Sequence, residues 1–175
     1  ALKKRTGHAP SLVEHHRAHA ASAAFTSGWD RCLAVTMDNF GDGTSATAWS
    51  FAHGALAEAG RVGALESPGQ FYGEIAELLG IHPLLAGKVT GLAARGDAEK
   101  CMPYVRELFS LRPDGEGFVL RTGASFGSGR RAMQALRAHA ARGGRADVAA
   151  ATQRQLEEVV LAWVEGLLKR TGQTR

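Results

Sequence analysis

Apolar positions recur at two different periods along this chain, and the change of period divides it. Residues 11–25 predict a helix. Ser11 stands where an N-cap belongs, Glu14 follows as the second half of a capping box, and an alanine-rich run leads to a stop at Gly28-Trp29-Asp30. Cys32–Met37 is a short apolar run with β-branched members, which suits a buried strand. It ends in the turn-rich string Asp38–Gly43. Thr44–Phe51 alternates as a second strand, His53-Gly54 makes another turn, and Leu56–Leu65 reads as a third. Three strands joined by tight turns predict an antiparallel meander.

Beyond Ser67-Pro68-Gly69 the period becomes helical, with Phe71, Tyr72, Ile75, Leu78 and Leu79 on one face and Gly80 as a C-cap. Residues 98–108 predict a short helix that tolerates Pro103 in its first turn. Pro113-Asp114-Gly115 predicts a hairpin turn before a strand at Phe118–Arg121. Residues 122–146 are rich in Gly, Ser and Arg, with one helical piece near 130–141. Asp147 then stands where it can cap a final helix with a stripe of Leu156, Val159, Val160, Trp163 and Leu167. The fold class is therefore α/β: a three-strand antiparallel meander with flanking helices, no internal repeat and no domain boundary.

Composition narrows the possibilities. A chain of 175 residues, 45% hydrophobic and 22% charged, fits one globular domain and excludes a disordered or collagen-like chain. No run approaches the ~18 apolar residues of a membrane span, so no membrane partner is expected. There is no secretory signal, and Ala1 rather than Met comes first, so the chain is expected to begin after processing or inside a longer protein. Cys32 and Cys101 lack metal-type spacing, which points to reduced thiols and a cytoplasmic location. The net charge of +4 is uneven. No Asp or Glu lies between Glu116 and Asp147, while Arg121, Arg130, Arg131, Arg137, Arg142 and Arg145 do. That stretch is either a face for phosphates or an acidic partner, or a solvated surface. Without interleaved aromatics or a nucleic-acid motif, no nucleic-acid partner is expected.

Three groups of residues carry candidate chemistry. His15 and His19, at i and i+4, lie about 6 Å apart on one helix face, close enough for two imidazoles to share an ion. Asp38, expected at the end of the first strand beside a glycine-rich turn, completes an N,N,O set suited to iron(II), zinc, manganese or nickel. A plain histidine-rich surface is the alternative. The Asp38–Ser45 string can bring backbone amides and hydroxyls to a phosphate, or be an ordinary Asp-Gly hairpin turn. Lys88, between Gly87 and Gly91, can reach a phosphate or carbonyl oxygen, or face water at a helix start.

Taken together these strings resemble one family. His15-His16-Arg17-Ala18-His19-Ala20-Ala21-Ser22-Ala23 resembles the HHxxHAASA stretch of the nodulation-type and antibiotic-tailoring O-carbamoyltransferases. The spacing to Asp38 looks like theirs. So do Gly69-Gln70-Phe71-Tyr72 with Leu78-Leu79-Gly80, Gly87–Ala93, Leu111–Gly115 and Asp147–Ala150. The likeness runs from about His15 to Gly172, with departures at Gln70, Gly73 and Thr90.

The resemblance implies a partial actin-like ATPase (RNase H-like) domain, with residues 1–175 a single fragment of the N-terminal carbamoyl-transfer domain. In the family a separate C-terminal domain forms carbamoyl adenylate from carbamoyl phosphate and ATP. The transfer domain then moves the carbamoyl group to a hydroxyl of a small-molecule or saccharide acceptor. His15, His19 and Asp38 would hold a divalent metal, iron(II) in the family. Gly41, Gly43, Thr44 and Ser45 would lie beside the adenylate phosphate. Lys88 would neutralise charge as AMP leaves. His16, which points elsewhere on the helix, reads as a structural residue, and is also the candidate general base. A further aspartate ligand and the nucleotide segment lie C-terminal in the family, so the chain alone is expected to be inactive. The rivals are threonylcarbamoyl or hydrogenase-maturation carbamoyl transfer, and a non-catalytic module on the same scaffold.

Overall fold

A computed structural model describes residues 7–9, 11–122 and 127–175. The first expected helix is α1, His15–Thr26. It starts later than the capping-box reading predicted. Glu14, not Ser11, is its N-cap, its carboxylate accepting from the backbone N–H groups of His16 and Arg17 at 3.2 and 2.6 Å. A carboxylate at this position satisfies two of the N–H groups that a helix start leaves open.

Three strands follow, β1 (Arg31–Gly41), β2 (Thr44–Ala52) and β3 (Ala55–Gly63), paired antiparallel in that order. Both connections are two-residue turns with two successive positive φ angles, at Asp42-Gly43 (52° and 77°) and His53-Gly54 (49° and 76°). Such turns match the right-handed twist of the strands they join. The predicted meander is thus present, but its first strand is longer than the apolar run suggested. Asp38 lies inside β1. Regular pairing stops at Met37↔Ala46 and resumes at Gly41↔Thr44, so Asp38, Asn39 and Phe40 bulge opposite Ser45. A bulge of this kind turns side chains away from the ladder.

The sheet is covered on both faces, and period-2 alternation divides its residues. Cys32, Ala34 and Thr36 of β1, with Thr47, Trp49 and Phe51 of β2, face α1 and its buried stripe His16, Ala20 and Ala24. Ala46 and Ala48 face the larger core. That core is built by α2 (Pro68–Leu78), α3 (Lys88–Ala93), α4 (Met102–Leu108), the hairpin β4–β5 (Phe109–Leu111 and Phe118–Leu120), α5 (Gly127–His139) and α6 (Arg145–Thr171). Its centre is a row of rings from Phe71 through Phe109 and Phe118 to Trp163, with centroids 4.7, 5.3 and 5.2 Å apart.

The final helix buries Val159, Trp163 and Leu167 of the expected stripe, while Leu156 and Val160 are half-buried. Asp147 does not cap it. The helix begins at Arg145, after a break at Gly143 (φ 94°) that separates it from α5. Asp147 instead accepts from the Asp97 backbone N–H (2.8 Å), His139 Nε2 (3.0 Å) and Lys100 Nζ (3.2 Å), tying α6 to the 97–100 loop. Both cysteines are free and buried, and burial pushes the Cys101 thiol up to about 11. Residues 123–126 of the glycine- and serine-rich stretch lie outside the described residues. Among the described residues no helix is long and apolar enough to cross a membrane.

Candidate metal centre

The histidine pair rests on α1, which lies over the end of β1. His15 and His19 are successive turns of one face, with ring centroids 4.7 Å apart. The His15 backbone N–H donates to Asp42 Oδ2 at 2.9 Å, so the β1–β2 turn holds the start of the helix. Across 23 residues of sequence, His15 Nε2 lies 3.1 Å from Asp38 Oδ2. One ligand atom each from His15, His19 and Asp38 falls within 4.8 Å of the others. Two ligands about 2.1 Å from one ion lie about 3.0–3.4 Å apart at ordinary coordination angles, so the His15–Asp38 spacing suits a shared ion. The donor set is two imidazoles and one carboxylate, which fits a divalent first-row metal.

The charge state agrees. Asp38 is held below the usual carboxylate range, first by the Asn39 backbone N–H bonding its Oδ1 at 2.6 Å and then by the His15 ring. It is therefore an anion at neutral pH. Two close approaches shape its surroundings. A Cβ on Gly41 would lie 2.3 Å from His15 Cδ2, so the absence of a side chain there seats the His15 ring. A Cβ on Gly69, at the start of α2, would lie 2.7 Å from the Asn39 Cα. That glycine lets α2 press against the bulge, where Ser67 donates to the Asn39 carbonyl.

His16 is fully buried. Its Nδ1 is 2.8 Å from Thr36 Oγ1 and its Nε2 is 3.0 Å from the Thr44 carbonyl oxygen. Both ring nitrogens are engaged inside the protein, which removes it from the general-base role expected of it. In the turn, Gly41 makes room for the His15 imidazole. Ser45 is buried, its hydroxyl donating to the Gly63 carbonyl at 2.9 Å. Thr44 Oγ1 accepts from Arg61 at 2.9 Å. Gly43 completes the turn with a positive φ and open space around it.

Three clefts bear on the site. One of about 390 Å³ is lined by His16, His19, Val35, Thr36, Met37 and Asp38. A second, of about 560 Å³, is lined by Asn39, Gln70, Gly73, Glu74 and Ala86 among others. Lys88 is not beside the histidines. It lines a third cleft of about 460 Å³ with Arg95 and Arg145, and that cleft shares no residue with the first. Arg145, from the arginine-rich stretch, also donates to the Leu79 carbonyl.

The reading of the sequence did not include Thr36, Thr47 or Gly69 as site residues. Thr36 had a usable signal, since it stands two residues before Asp38, a spacing that predicts a shared strand face.

The α/β domain thus brings two imidazoles and a carboxylate together beside a polar cleft. Comparison with known families places it. The family described as carbamoyltransferase N-terminus matches residues 1–174, and the chain belongs to it. Carbamoyl transfer, a transferase activity, is the chemistry of that family.

Proposed function

We propose that this domain carries the transfer half of an O-carbamoyltransferase, moving a carbamoyl group from carbamoyl adenylate to a hydroxyl of a small molecule or saccharide. The grouping of His15, His19 and Asp38, one ligand atom of each within 4.8 Å of the others, in a chain of the carbamoyltransferase family, carries this reading. The donor would come from carbamoyl phosphate and ATP, formed elsewhere in the parent protein, and the scaffold would be of the actin-like ATPase type.

His15, His19 and Asp38 would hold a divalent metal, iron(II) in the first place, which when bound supplies Lewis acidity toward the donor's oxygens. In the transfer the acceptor oxygen bonds to the carbamoyl carbon. The bond from that carbon to the phosphate oxygen breaks, its electron pair leaves with AMP, and the hydroxyl proton passes to a base. Lys88 and Arg95 line a cleft of their own. These cations would stabilise the departing phosphate. Gly43 would leave the turn open on the donor side.

The test is metal content and carbamoyl transfer measured on the full-length protein and its His15→Ala and His19→Ala variants. The expected result is about one equivalent of metal in the parent, loss of metal and of transfer in both variants, and little change in Tm. Full metal content in His15→Ala would refute the assignment.

A further inference from the structure

We propose that His16 is a positioning residue, which sets the rotation of α1 and thereby aims His15 and His19 at Asp38. The inference rests on the metal reading above and extends it to residues that touch no ligand.

A chain of four hydrogen bonds runs through the space between α1 and the sheet. Trp49 Nε1 is 2.7 Å from Thr47 Oγ1, Thr47 Oγ1 is 2.7 Å from Thr36 Oγ1, Thr36 Oγ1 is 2.8 Å from His16 Nδ1, and His16 Nε2 is 3.0 Å from the Thr44 carbonyl oxygen. Donor arithmetic orders it. An indole nitrogen only donates and a carbonyl only accepts. Trp49 therefore donates to Thr47, Thr47 to Thr36, Thr36 to His16 Nδ1, and His16 Nε2 to Thr44. Each donor has one acceptor, and one ring tautomer satisfies every link. All of these side chains are buried, so an unmade link would leave a polar group without water or partner.

The chain matters for the metal centre because of helix geometry. The other residues that α1 buries are Ala20 and Ala24. Two methyl groups grip a sheet weakly; the His15 N–H bond to Asp42 and the exposed Phe25 ring against Phe51 act at the two ends of the helix and leave its middle free to rotate about its axis. His16 prevents that rotation, since its two bonds reach different strands, Thr36 on β1 and Thr44 on β2. His15 and His19 stand next to it on the helix surface, about 100° around from the buried stripe at 3.6 residues per turn. On β1, Thr36 lies in the regular pairing and Asp38 opens the bulge two residues on, and both side chains reach α1. The His16–Thr36 bond and the His15–Asp38 approach are therefore successive rungs between the same two elements. Setting the first sets the second. His16, Thr36, His19 and Asp38 also line one cleft, so the order of the chain is felt at the site itself.

The experiment uses the full-length protein with Co²⁺ as the probe. Thr36→Val removes the hydroxyl at nearly constant volume, and Thr36→Ser keeps it. Co²⁺ affinity is measured by chelator competition, the ligand field by visible absorption, the His16 ring by ¹⁵N NMR, and folding by Tm. Thr36→Val is expected to weaken Co²⁺ binding roughly tenfold, the low end for groups that orient metal ligands. It should also change the visible bands and disturb the His16 ¹⁵N pattern, while Thr36→Ser restores all three. Thr47→Val, one link further away, should show a smaller loss in the same direction and serves if Thr36→Val does not fold. Co²⁺ binding by Thr36→Val with parental affinity and spectrum would overturn the proposal. So would failure of Thr36→Ser to rescue, or a larger loss in Thr47→Val than in Thr36→Val. If the parent itself bound no Co²⁺, the metal reading would fall first, before any Thr36 variant is compared.

Discussion

Replacing Gly41 by alanine tests the site at its tightest point. The added Cβ would lie 2.3 Å from His15 Cδ2, 2.6 Å from Cγ and 2.8 Å from Nε2. Ordinary carbon contacts start at about 3.5 Å, so the ring must retreat by about 1.2 Å. His15 Nε2 stands 3.1 Å from Asp38 Oδ2, and metal–ligand distances tolerate only about 0.2 Å of error. The displaced ring would therefore leave the shared point. Loss of a correctly oriented ligand should weaken metal binding about 10- to 100-fold, or about 1.4–2.7 kcal/mol. Folding should suffer far less, because the half-exposed His15 ring can swing toward solvent. Gly54→Ala is the natural control. It sits in the other hairpin turn at φ +76° with nothing within 4 Å, so it should cost about 1–2 kcal/mol of stability through left-handed strain and leave metal affinity alone. Isothermal titration with Zn²⁺ and thermal denaturation of both variants would separate the effects. Metal affinity in Gly41→Ala equal to that of the parent would refute the argument that this glycine seats the ligand.

Two further outcomes concern the body of the fold. Three donors hold the Asp147 carboxyl down at about 2, against an ordinary 3.8, the Asp97 backbone N–H first and then the rings and amines of His139 and Lys100. A depressed carboxyl stabilises the native state at pH values above its unfolded pKa and loses that contribution as pH falls toward its folded one. The urea midpoints of the parent and Asp147→Asn should thus differ near neutrality and converge between about pH 4 and pH 2; a gap that persists at pH 2 would contradict the assignment. Trp163, fully buried against Phe118, should cost about 3–5 kcal/mol when truncated to alanine, read from urea unfolding at pH 7, and a loss under 1 kcal/mol would show that the ring row does not centre the core.

What the sequence carried about this protein was local. The i, i+4 histidines announced a pair on one helix face because a helix repeats every 3.6 residues wherever it lies. The Asp42-Gly43 and His53-Gly54 turns announced the meander because two successive left-handed residues close a hairpin almost unaided. The family resemblance lay in such strings, and the family match agrees with it.

Rotation and register were decided by tertiary structure. Nothing local tells whether His15 or His16 faces the sheet. The choice follows from Thr36 and Thr44, which offer a buried hydrogen-bond pair to His16 and leave His15 at the edge beside Asp38. Gly41 read as a phosphate-loop glycine, and packing set the His15 imidazole over it. Asp147 read as a helix cap until the 97–100 loop, fifty residues away, presented its own N–H. A helix fixes the angles between its own side chains, but only the surface it packs against determines where those side chains point.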